Sequence, residues 1–83
     1  MLTAYQLRVL ESCDDAALAD HVRASWWNWQ TALAGARKRG DRNCPEEAAR
    51  YDDLLSVQHW CRLEGHGELF TRAVAAAREE QRR

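Results

Sequence analysis

The stretch DAALADHVRASWWNWQTALAGARKR, residues 15–39, reads as one long helix. Leu18, Val22, Trp26, Trp29, Leu33 and Ala36 recur at steps of three and four and form a single apolar stripe. Asp14 and Asp15 suit its positive N-terminal end, and Arg37, Lys38 and Arg39 suit the negative C-terminal end. Gly40 follows where a left-handed residue commonly closes a helix. Gly35, inside the helix, costs about 1 kcal/mol relative to alanine and is read as a mark of close helix crossing.

Shorter helices flank this one. Upstream, Thr3 and Gln6 have capping-box spacing, and Leu2 and Leu7 occupy the two positions of a hydrophobic staple around that cap. A short helix to about Glu11 is expected, with Leu7 and Leu10 on one side. The stretch Leu2–Leu10 loosely resembles the opening helix of winged-helix regulators in a few apolar positions. No segment reads as the strands of a wing, and nothing is carried over from the resemblance. Downstream, Gly40-Asp41-Arg42-Asn43 reads as a turn, and Pro45, Glu46 and Glu47 open a third helix. Its buried face is expected at Tyr51, Leu54, Leu55, Gln58 and Cys61, and Gly65 is its stop. A fourth helix follows the Gly65-His66-Gly67 turn, with Leu69, Phe70, Ala73, Val74 and Ala77 inward. Residues 78–83 are polar enough to fray. The expected fold is all-α: one helical domain over residues 1–83, built on a long antiparallel hairpin with short flanking N- and C-terminal helices.

Composition narrows the function. Twelve basic and thirteen acidic residues nearly cancel, which argues against a general electrostatic grip on nucleic acid or anionic membrane. Eleven of the basic residues are arginine, which a GC-rich coding sequence explains and which also suits interfaces. No apolar run has the length of a membrane span. Three cysteines, Cys13, Cys44 and Cys61, form no even disulfide framework, and the N-terminus lacks a signal-peptide pattern. A cytoplasmic protein is expected.

No motif of catalysis is present. The chain has no phosphate-cradling glycine loop and no nucleophile elbow, and its paired acids, Asp14/Asp15, Glu46/Glu47 and Asp52/Asp53, diverge on a helix. His59 and Cys61 stand two apart and point in different directions, so they and His66 are not read as a metal site. No enzyme activity, cofactor or metal is expected.

The tryptophans carry the positive argument. Trp26 and Trp29 belong to the stripe, whereas Trp27 lies roughly opposite it, and Trp60 lies off the Tyr51/Leu55 face of its own helix. Either the outer helices cover these two rings, or a ring stays open to anchor a partner. On the second reading Trp27 is the anchor, Asp20, Arg23 and Thr31 form a polar rim, and Trp60 is a further contact. The expected function is then a non-enzymatic protein-interaction module. It would be a small inhibitor or adaptor of a larger protein or complex, of the kind phages and mobile elements direct against defence complexes such as CRISPR effectors. A homodimer is a special case. The alternative is a small dimeric nucleic-acid-binding regulator that uses Arg37, Lys38, Arg39 and Arg42 at the hairpin tip, with Glu46 and Glu47 near enough to neutralise it.

Overall fold

The computed structural model describes residues 2–83 and contains four helices: α1 (Ala4–Ser12), α2 (Asp15–Arg39), α3 (Pro45–Leu63) and α4 (Gly67–Arg82). No strand occurs among the described residues.

The ends of the helices follow from local chemistry. The Thr3 hydroxyl accepts from the Gln6 amide at 3.1 Å while the Gln6 side chain accepts from the Thr3 amide at 2.8 Å, completing the capping box. Asp14 caps α2 by accepting from the Ala17 amide at 2.8 Å. At the other end of α2, Gly40 takes φ 69°, and the Asp41 amide reaches back to the Ala36 carbonyl at 2.9 Å. Gly65 (φ 79°) closes α3 in the same way, with the His66 amide donating to the Cys61 carbonyl at 2.6 Å. Both turns put the chain through the left-handed region, which glycine enters without a Cβ penalty.

α2 packs against both α3 and α4, and α3 and α4 also meet each other. Leu18, Val22 and Trp26 of α2 meet Leu54, Val57 and Cys61 of α3 and Phe70, Ala73 and Ala77 of α4 in one buried cluster, which Leu10 of α1 joins. Trp29 reinforces the α2–α3 contact: its Nε1–H donates to Glu47 Oε1 at 2.7 Å, and its ring lies 5.0 Å from that of Tyr51. The helices form a plate whose Cα extents are 38 × 32 × 16 Å. Helices pack about 8–10 Å apart, so the short dimension holds only two layers.

Three expectations need correction. The buried face of α3 is Leu54, Val57 and Cys61, whereas Tyr51 and Leu55 are exposed. α3 must touch α2 and α4 together, and the side it turns to both is centred near Val57 and Cys61. The C-terminal helix is not a short flank: α4 has 16 residues against 19 in α3, and packs on α2 about as extensively. Nor does it fray at Arg78, because Glu80 pairs with Arg23 and Gln81 Nε2 donates to Gln30 Oε1 at 3.1 Å, holding the last turns against α2.

α1 is the least attached element. Leu10 is its only fully buried residue, and α1 has no extensive helix–helix contact. Leu10→Ala is expected to cost about 2–5 kcal/mol. Hydrogen exchange checks where that loss falls: protection should vanish first in α1 and persist in α2, α3 and α4.

Candidate interaction surfaces

Trp27 lies on the outer side of α2, half-buried, with its ring edge-on to Trp26 at a centroid distance of 5.1 Å and an interplanar angle of 83°. Trp26 is itself held in the core, so one edge of the Trp27 ring is fixed. Asp20, Ala24, Asn28, Thr31 and Ala34 around it are exposed. Trp27 packs against the core cluster, and the part of its ring that stays open lies among these small neighbours.

Arg23, read as a rim residue, also has partners within the chain. Its guanidinium pairs with Glu80 of α4 and lies 3.6 Å from Asp20, and its Nε is buried with no hydrogen-bond partner among the described residues. Arg23 and Gln30, four residues before Trp27 and three after, are its neighbours on the α2 surface. Both are tied to the end of α4, so the segment expected to fray is what lies alongside Trp27.

Trp60 stands on α3 and takes its place in a groove of about 440 Å³ between α1 and α3. Leu2 and Leu7 form one wall, with Leu55, His59, Trp60 and Leu63 opposite. The Trp60 ring stacks on His66 at 6.1 Å, with 23° between the planes. Trp27 and Trp60 thus occupy different helices, each partly covered, and no ring contact or hydrogen bond joins them. Residues that the sequence reading placed in the core or passed over also surface here. Tyr51, Leu55 and Leu63 are 42%, 43% and 71% exposed, in one row along α3 with His59. Their four-residue spacing was the available signal.

The basic tip is exposed, and one of its arginines also has contacts within the chain. Arg37, Lys38, Arg39 and Arg42 are all exposed, and Arg39 also bends back so that Nη2 donates to Cys44 Sγ at 3.5 Å. Its Nη1 would lie 3.3 Å from a Cβ on Gly35, so the guanidinium lies over the bare backbone of that glycine. Gly35 therefore makes room for a side chain of its own helix. Glu47, expected to neutralise the tip, also accepts a hydrogen bond from Trp29 Nε1–H.

Cys13, Cys44 and Cys61 are all free thiols. Cys61 has no exposure, and burial pushes its thiol pKa up. His59 is exposed and His66 lies on Trp60, so Cys61 shares no site with either. No group of three or more potential metal ligands converges among the described residues, and no helix is long and apolar enough to cross a membrane. The chain was compared with models of protein families, with curated proteins and with solved structures, and none of them matches it.

Two measurements follow from these surfaces. Deleting residues 79–83 removes both ties beside Trp27, so tryptophan emission should shift to the red and acrylamide quenching should rise. The same deletion in Trp27→Phe should show neither change. A thiol reagent should spare Cys61 in the folded chain and modify it at the rate of global unfolding. The sign of the linkage is fixed: a raised thiol pKa means that the unfolded chain ionises first, so this group's contribution is lost as pH rises above the usual thiol value.

Proposed function

We propose that this chain is a non-enzymatic protein-interaction module, a small inhibitor or adaptor that docks on a larger protein or complex through the outer face of α2. The observation that carries the reading is the setting of Trp27. Its ring is fixed at one edge by Trp26 and ringed by exposed Ala24, Asn28, Thr31 and Ala34. A ring already held in place loses little freedom on binding and can bury a large apolar area, the pattern of an interface anchor. Asp20 and Thr31 supply the polar rim, and Arg23 helps to hold the face in place through Glu80. Trp60, in the α1–α3 groove, is a secondary contact.

The supporting frame is an antiparallel hairpin of α2 and α3. The Trp29–Glu47 hydrogen bond and the Trp29–Tyr51 ring contact, which join the later part of α2 to the earlier part of α3, favour that arrangement. A plate with an anchor on the outer face of its central helix suits a protein that acts by occupying another's surface, as a phage- or mobile-element-encoded inhibitor of a host defence complex does.

An affinity capture from nuclease-treated host lysate tests the reading. A specific protein should be recovered, and Trp27→Ala should weaken its binding about thirtyfold, the size of an interface hot spot of about 2 kcal/mol. Alanine at Arg37, Lys38 and Arg42 together should leave capture unchanged. Binding that survives Trp27→Ala, or that disappears with nuclease and with the arginine and lysine changes, would refute the proposal.

A further inference from the structure

We infer that the outer face of α3 is a self-complementary surface that pairs two copies of this chain antiparallel, with the two-fold axis passing beside Val57. Six exposed residues make the argument: Asp52, Leu55, His59, Arg62 and Leu63 lie on the side of α3 away from its buried Leu54, Val57 and Cys61, and Tyr51 lies on the flank where its ring meets Trp29 of α2. Asp52, Leu55, His59 and Arg62 follow one another at steps of three, four and three, the spacing of a helix–helix seam. When two copies of a helix run antiparallel, residues equally far from the centre of pairing share a layer. With Val57 at the centre, Leu55 shares a layer with a second copy's His59, and the dyad repeats that layer on the other side. Five residues from the centre, Asp52 shares a layer with a second copy's Arg62, so the seam closes at each end with opposite charges. Tyr51 and Leu63 stand on the two flanks and shield these layers from water.

The charge order is what selects a second copy as the occupant. An isologous interface requires one patch to complement itself, residue for residue, about a dyad. A seam that runs acid, leucine, histidine, base meets that requirement in antiparallel order alone. In a parallel pair, Asp52 would face Asp52 and Arg62 would face Arg62. A carboxylate has about four acceptor positions, so pairing with Arg62 adds to the interaction that Asp52 already has. Leu2 and Leu7 line the same groove as Leu55, His59 and Leu63 and border the seam with apolar side chains. This inference uses a different helix from the Trp27 anchor but shares the α1–α3 groove with the secondary contact at Trp60, so mass in solution tests the seam and Trp27-dependent capture tests the proposed function.

Sedimentation equilibrium of the full chain, with circular dichroism to check folding, tests it. The wild type should show a reversible, concentration-dependent mass approaching twice the 9.6 kDa of the chain. Leu55→Asp should give a folded monomer. Asp52→Arg and Arg62→Asp should each raise the dimer dissociation constant at least tenfold. Mixing these two variants should restore association, because every end layer then holds one acid and one base. His59→Leu should lower the dissociation constant severalfold by making both central layers apolar. A wild type that stays at 9.6 kDa up to its solubility limit would overturn the inference. So would a dimer that ignores Leu55→Asp, or single charge reversals that fail to rescue each other on mixing.

Discussion

One helix supplies the core for two others. The stripe of Leu18, Val22 and Trp26 is buried on both sides of its crest, by Leu54, Val57 and Cys61 from α3 and by Phe70, Ala73 and Ala77 from α4. A helix of 25 residues spans roughly 37 Å at 1.5 Å per residue, which matches the 38 Å length of the molecule. α3 and α4 pack against it, and their exposed faces are whatever α2 leaves over. A chain of 83 residues buries a limited share of its surface, so a single shared stripe is an economical way to hold three helices together.

The same constraint explains why apolar side chains stay at the surface. A plate 16 Å across at its Cα atoms gives no helix a complete ring of neighbours. Trp27 and Trp60 are half-buried because each lies at the border between a packed side and an open one. α1, anchored by Leu10, is too short to close the gap and leaves a groove against α3 instead. α4 does more: with Glu80 and Gln81 it secures the edge of α2 on either side of Trp27.

Much of the fold was legible in the residues because it depends on local chemistry. Thr3 with Gln6, Asp14, Gly40, Pro45 and Gly65 mark helix ends through hydrogen bonds and backbone geometry confined to a few neighbours. The surfaces were less legible. Tyr51 and Leu55 look like core on a helical wheel, and only the shared demand of α2 and α4 turns α3 toward Val57. The pairing of Arg23 with Glu80, far along the chain, has no signal in the sequence. Nor does the folding of the Arg39 guanidinium over Gly35 toward Cys44.

The sequence by itself determined that this protein is helical, where α1, α2 and α3 begin and end, where α4 begins, and which stripe of α2 is buried. Those properties follow from periodicity and caps, which act over one or two turns. Tertiary structure decided which side of α3 meets water, how far α4 remains ordered, and how much of each tryptophan is covered. Each of these turns on contacts between residues far apart in the chain, and periodicity gives the direction of a side chain about its own helix without saying what stands opposite it.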